Sequence, residues 1–387
     1  MDISSPTFAL LRLTLVDGLG PATIGKFVSL AGSPEAALEL TPSQIGMCKV
    51  GAQRAARMAA DIRESKAAAE DEIALAETLG AKFVSTSDDH YPSLLKQVPD
   101  APPILYYKGT LRPETDRFAA AIVGSRRCTA YGLEQTTRFA GTLARAGITI
   151  VSGGARGIDT AAHRAVLMSK GRTIAVLGCG LAHSYPPENA ELFEQISEID
   201  EHGNSAGAVV SELPLQTAPD KQNFPRRNRI ISGMSLGVLV IEAAKGSGAL
   251  ITAEQATEEH GREVFAIPGR VDSAASEGSN LLIKSGGAAM VTEPGDVVAL
   301  LESPARHLAR GTHEARFAPL PVVALPQTPI APDQQRILSA LETERSADEL
   351  VELTGLAPAS LRSHLTLLEI SKRVTRVGPR FARRAPA

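Results

Sequence analysis

The segment 221–229, KQNFPRRNR, places one aromatic ring and four cations just ahead of an apolar run, GVLVIEA at 237–243. Pro225 has the fixed φ that suits the first turn of a helix, so the segment reads as a helix start with Arg226 and Arg229 three apart on one face. Backbone N–H groups and the positive end of the helix dipole favour an anion there. Phe224 offers a stacking surface for a base, while Lys221, Arg226, Arg227 and Arg229 neutralise phosphates and Asn228 stands beside them. One ring inside a cation cluster suits single-stranded nucleic acid. The competing reading is a solvated basic turn whose arginines pair with acids and whose ring belongs to the core.

Four glycine-rich stretches supply the other candidates. GSRRCTAYG at 124–132 lacks the G-x-G-x-x-G pattern, which argues against a dinucleotide, and no cofactor is expected. Gly124 and Ser125 are expected to offer N–H groups to a phosphate, with Arg126 as its bidentate clamp. SGGARGID at 152–159 adds donors at Ser152, Gly153 and Gly154. Asp159, four residues before His163, reads as a helix cap rather than half of an acid–base pair. GCGLAHSYPPEN at 178–189 carries a lone His183, which reads as structural, and Tyr185. KGSGALITAE at 245–254 opens a helix through Lys245, Ser247 and Gly248 and again suits phosphate. No catalytic or metal-binding set is read from these motifs.

Short apolar runs alternate with helical segments from 119 to 301: AAAIVG, ITIVSG, TIAVLG, AVVSE, GVLVIEA and EVFAIPG are the strands. Continuous runs rather than strict alternation mean strands buried on both faces. The expected fold class is therefore α/β, a Rossmann-like, doubly wound and mostly parallel sheet whose ligands bind beyond the carboxyl ends of the strands. Residues 1–80 are helical in pattern and read as a small domain of their own. Its turn DGLGPATIGKF at 17–27 resembles a helix-hairpin-helix element, although any tight helix–helix turn also wants glycine. Residues 81–118 read as a strand, a proline-rich turn and a second strand leading into the main domain, which runs to 302. Six prolines over 303–332 read as a linker. From 333 to 387, a capping box at Ser346 and Glu349 lies among short helices that precede a basic hairpin, the pattern of a winged helix.

The chain has 387 residues, 43% of them hydrophobic, enough for two or three domains and a large core. Its net charge of -3 means that a nucleic-acid site must be a local patch. Three scattered cysteines argue against a disulfide framework and fit the cytoplasm. No apolar run of about 18 residues and no signal-peptide start are present, so no membrane association is expected. Trp is absent, so stacking rests on Phe224 and a tyrosine such as Tyr131 or Tyr185.

In order, GSRRCTAYG, SGGARGIDTAAH, FPRRNRIISGMSLGVLVIEA, GSGALITAEQA and GREVFAIPG followed by GSNLLIKSGGA resemble the DNA-processing protein A (DprA, also called Smf) family. The resemblance implies a protein that binds and protects incoming single-stranded DNA and helps load the RecA recombinase in natural transformation. It also implies a homodimer formed through the Rossmann-like domain. Carried over residue by residue, the family's strand-binding pocket falls on Arg126, Lys221 and Phe224, with Arg226, Asn228 and Arg229 beside them. LLEISKRV departs from many winged helices, with Ser371 and Lys372 where a glycine turn is usual. A distant resemblance of GSGALITAE to Rossmann-like phosphoribohydrolases, which cut nucleoside monophosphates, supports an enzymatic alternative with Glu254 in the glutamate's place. Lys245-Gly246-Ser247 stands where those enzymes hold Pro-Gly-Gly, and no second carboxylate is placed to work with Glu254. A third reading, a transcription factor with a nucleotide-sensing sheet, rests on the winged helix alone.

Overall fold

The structure is a computed structural model that describes residues 3–301, 331–341, 343–370, 373–377 and 380–383. The chain divides near residue 316 into two compact units. The first is built on a nine-stranded sheet in the order β1-β2-β6-β5-β4-β3-β7-β8-β9. The strands are β1 Lys82–Ser85, β2 Ile104–Gly109, β3 Ala119–Val123, β4 Thr149–Ser152, β5 Thr173–Val176, β6 Gly207–Ser211, β7 Gly237–Val240, β8 Glu263–Ala266 and β9 Ala289–Met290. β1 and β2 are antiparallel, β2 joins β6 antiparallel, and every other pairing is parallel. Every residue of β3 to β7 is buried, as continuous apolar runs in parallel strands require. The chain runs outward from β3 to β6, then returns to β7 on the other side of β3. The order therefore reverses between β3 and β7, which places a crevice at the carboxyl ends of these strands.

Helices cover both faces. On one face lie α7 (Ala130–Arg145) and α8 (Ile158–Met168), whose Phe139, Leu143 and Val166 pack on Ile122, Ile150 and Leu239. On the other lie α10 (Asn223–Gly233) and α11 (Gly248–Glu258), with Ile230, Ile231 and Ala253 on Val123, Val151 and Val238. Three further helices of this unit are α6 (Pro113–Asp116), α9 (Ala190–Ser197) and α12 (Glu277–Lys284).

The chain opens with α1 (Ser5–Thr14), α2 (Pro21–Ala31), α3 (Pro34–Ala37), α4 (Pro42–Met47) and α5 (Ala52–Thr78). Ser33-Pro34 and Thr41-Pro42 each set a side-chain N-cap before a proline in the first turn, a local signal strong enough to start even a short helix. In the 17–27 turn, Gly18 has a φ of 71° and its carbonyl accepts from Arg54 (2.9 Å), which ties this turn to α5. The sequence suggested a separate helical domain over 1–80. These helices instead share one apolar cluster with the sheet, where Phe27, Met58 and Ile62 belong with Leu177, Val209 and Leu215. Glu72 on α5 accepts from the Leu215 N–H (2.7 Å), so a buried carboxylate also crosses this junction.

The second unit holds helices Pro332–Ala340, Ala347–Thr354 and Pro358–Ile370 and a three-stranded sheet, β10 (Arg345–Ser346), β12 (Arg380–Arg383) and β11 (Val374–Val377), in that spatial order. This is a winged helix. The capping box at its second helix is as the sequence reads: the Ser346 N–H donates to Glu349 (2.7 Å) and the Glu349 N–H to the Ser346 hydroxyl (3.3 Å). The 303–332 linker, except for its last two residues, and the Ser371-Lys372 departure lie outside the described residues. Among the described residues, no helix is long and apolar enough to cross a membrane.

Candidate nucleic-acid interface

At the switch point, the β3 loop is tied to the β7 end. The Ser125 N–H donates to the Glu242 carbonyl (2.7 Å), and the buried Glu242 carboxylate accepts from the N–H (2.8 Å) and hydroxyl (2.6 Å) of Thr129, the N-cap of α7. Gly124 is half-buried at the strand end, and the loop turns outward to leave Arg126 and Arg127 exposed. The expectation that the Ser125 N–H greets a phosphate is thereby corrected: that donor already has a backbone partner.

The β4 loop is also more interior than its composition suggested. Ser152 is buried and its hydroxyl donates to the Ile122 carbonyl (2.6 Å), while Gly153 and Gly154 are buried behind it. Asp159 does not cap α8, whose N-cap is Gly157 without a side-chain bond; from the first turn it folds back to accept from the Ala155 N–H (3.3 Å) of the preceding loop, a structural role all the same. Burial pushes its carboxyl up to about 6, although Arg227 lies close by. Burial pushes His163 down to about 3. The Thr173 hydroxyl donates to the Ile150 carbonyl, so it accepts from His163 Nδ1–H (2.7 Å), and this histidine is a neutral core residue.

Helix α10 carries the candidate cluster, and its turns divide it. Lys221 and Arg226 are exposed and Phe224 is half-buried at the first turn. Arg227 and Arg229, both expected at phosphates, are buried instead. Arg227 reaches under the sheet's rim to donate to the carbonyls of Gly153 (2.6 Å) and Val176, joining the ends of β4 and β5. Burial lowers its guanidinium to about 10. Gly153 has no side chain because one would lie 2.6 Å from Arg227 Nη2. Arg229 pairs with Asp100 (3.0 Å) and Glu212. Asn228 is buried and donates to the Gly248 carbonyl (3.3 Å), which draws the fourth glycine-rich loop onto α10. The pairing of Arg226 and Arg229 on one solvent face is therefore corrected. The helix turns Arg229 toward Asp100 and Glu212 and leaves Arg226 outside.

Phe224 lies in a cleft lined by Arg126, Gly153, Arg156, Gly178 and Tyr185. The Tyr185 ring stacks on it at 5.3 Å and 29°, and the Arg126 guanidinium carbon lies 5.3 Å from its centroid, within cation–π range. A Cβ on Gly178 would sit 2.7 Å from Phe224 Cδ1, so this glycine admits the ring. Gly178→Ala is expected to displace Phe224 at an overpacking cost of about 1–3 kcal/mol. Thermal melting and oligonucleotide affinity of the variant should both fall; parent-like values in both would show that the ring has room to move.

Lys245 and Gly248 are exposed at the fourth loop, and Ser247 stands at the N-cap position of α11 without a side-chain cap bond, its N–H donating to the Ala244 carbonyl (3.1 Å). Among the described residues, Arg126, Arg127, Lys221, Arg226 and Lys245 form no ion pair. The interface thus combines a stacked ring pair with exposed cations. The sequence carries no signal that singles out the exposed Arg127 or the cleft-lining Arg156, since an arginine in a glycine-rich loop looks the same wherever the loop turns it. His183 Nε2 meets the Gln216 carbonyl (3.1 Å), as a structural histidine should. Glu254 is exposed on α11, and no cluster of metal-ligating residues occurs among the described residues.

A family model described as DNA recombination-mediator protein A matches residues 82–302, the sheet unit that carries this cleft. The chain belongs to this family. A second model, the DprA winged helix domain, matches residues 322–378. The chain is 36% identical to protein Smf of Synechocystis sp. over 327 residues, 78% of this chain and 80% of the relative. It is 46% identical to the DNA processing protein DprA of Streptococcus pneumoniae over 224 residues, 57% of this chain and 75% of that one. The X-ray structure of the latter protein superposes with a TM-score of 0.63 at 37% identity, covering 77% of this chain and 98% of that one. These likenesses span the Rossmann-like sheet and assign this mediator family a role in DNA processing.

Proposed function

We propose that the chain binds single-stranded DNA at the carboxyl rim of its sheet, without altering covalent bonds, and delivers it to the RecA recombinase during natural transformation. The observation that carries this reading is the Phe224–Tyr185 stack, with Arg126, which forms no ion pair among the described residues, over the Phe224 ring and Lys221 and Arg226 exposed at the same helix start. A flexible strand presents both π-faces and phosphates to such a rim, whereas a duplex keeps its bases stacked inside. Arg126, Lys221, Arg226 and Lys245 supply the charge, and Phe224 supplies the stacking surface. The non-enzymatic reading is supported by the buried carboxylates: Asp159, Glu212 and Glu242 each serve a neighbouring structural group. The cytoplasm suits three free cysteines.

A homodimer would set two such rims on one particle and raise avidity for a long strand. The short strand β9 closes one side of the sheet with Met290 exposed, and among the described residues nothing pairs with its outer edge.

The test is an electrophoretic mobility series with single- and double-stranded oligonucleotides of several lengths, run at several salt concentrations. Length-dependent, sequence-tolerant binding to single strands is expected. Lys221→Ala should lower the slope of log affinity against log salt by about 0.7, the contribution of one neutralised phosphate on a single strand. A parent-like slope removes Lys221 from the path, and a preference for duplex overturns the reading.

A further inference from the structure

The wall of the cleft beyond Tyr185 carries a cation whose charge is already answered. Arg156 lines the cleft and pairs through Nε with Glu188, and the two side chains are about half exposed, at 49% and 50%. Tyr185 lies within reach of the same guanidinium. The hydrogen bond to Arg156 holds the Glu188 carboxyl below the usual range, so the acid is charged and engaged.

Glu188 is held in place by its surroundings. It sits in a single helical turn, Pro187–Asn189, behind Pro186. Its neighbour Asn189 is buried and donates to the Gly154 carbonyl (3.0 Å) and the Thr160 hydroxyl (2.7 Å). These bonds anchor the turn to the loop that carries Arg156. The acid therefore faces the cation through a fixed piece of backbone, and the pair stands beside the ring stack on the opposite loop from Arg126.

We propose that Glu188 occupies on Arg156 the place of a backbone phosphate, and that a bound strand displaces it. The inference rests on the strand-binding reading of the cleft and adds a residue pair to it. Carboxylate and phosphate offer a guanidinium the same two-oxygen partner, so one exchanges for the other without any change in the arginine's chemistry. The exchange is favoured because an exposed ion pair is weak, while a phosphate arriving on a strand is already held by neighbouring cations. The consequence is a bound strand that Glu188 continually competes to release, which suits a protein that must pass its strand on.

The experiment titrates a fluorescently labelled oligothymidylate with the full chain and with Arg156→Ala, Arg156→Lys, Glu188→Gln and Phe224→Ala, across a salt series, with melting curves to confirm folding. Arg156→Ala is expected to lower the log–log salt slope by about 0.7. Arg156→Lys should keep the parent's slope. Glu188→Gln should tighten binding by about two- to five-fold, the range an exposed ion pair contributes. Weaker or unchanged binding by Glu188→Gln overturns the proposal, because the pair would then be a brace for the loop or a bystander. A parent-like slope for Arg156→Ala, or an alanine-like slope for Arg156→Lys, overturns it as well. The Phe224→Ala arm separates the two levels. If it alone weakens binding, only the exchange falls; if it too binds like the parent, the strand-binding reading falls with it.

Discussion

Phe224→Ala is expected to weaken binding of single-stranded oligonucleotides by roughly 5- to 150-fold, the equivalent of about 1–3 kcal/mol for one stacked base. The ring stands half-buried at the start of α10, stacked on Tyr185 and flanked by Arg126, so its removal dismantles the only described pair of stacked rings in the cleft. Because any base has a π-face, the loss should be nearly equal for oligothymidylate, oligoadenylate and mixed sequences, measured by fluorescence anisotropy at one salt concentration. The salt slope should stay at the parent's value, since no charge is removed. A loss confined to one base would convert the interface into a base-specific one, and parent-like affinity would place the strand elsewhere.

Arg227→Ala has the second large effect, on stability. The guanidinium is buried and binds the carbonyls of Gly153 and Val176, while the buried Asp159 carboxylate lies beside it in the space where Gly153 has no side chain. Removing the cation leaves two carbonyls without a donor and a buried carboxylate without its compensating charge. Such losses cost about 3–5 kcal/mol. Urea denaturation should show that fall, and Asp159→Asn in the same chain should recover part of it, because the two groups are coupled rather than additive. The result that would return Arg227 to the interface is an alanine variant as stable as the parent that no longer binds oligonucleotides.

These two residues are three apart on one helix and have opposite fates, which shows where sequence reading stops. Phe224, Pro225 and the exposed Lys221 and Arg226 were legible, because helix starts, ring chemistry and charge are properties of a few neighbouring residues. The inward turn of Arg227 and Arg229 was not. It depends on Gly153, Val176, Asp100 and Glu212, which come from four other segments and meet α10 only when the sheet has assembled. The glycine-rich loops misled for the same reason. A glycine that lets a phosphate approach and one that lets a side chain approach look alike, and Gly153 and Gly178 make room for Arg227 and Phe224. Tyr185 was only one of two candidate rings until its loop was seen against Phe224. Helices α1 to α5 read as a separate domain because amphipathic periodicity reports that a face is buried, not what buries it.

The parallel sheet, the crevice beyond its carboxyl ends and the winged helix follow from short-range patterns: apolar runs of strand length, helix caps and the alternation of the two. The selection of working cations from the arginines of 221–229, and the pairing of Arg156 with Glu188, arise from contacts between residues tens to hundreds of positions apart. Charge and aromaticity belong to a residue type and are visible in the chain, whereas burial and partnership belong to a place in three dimensions.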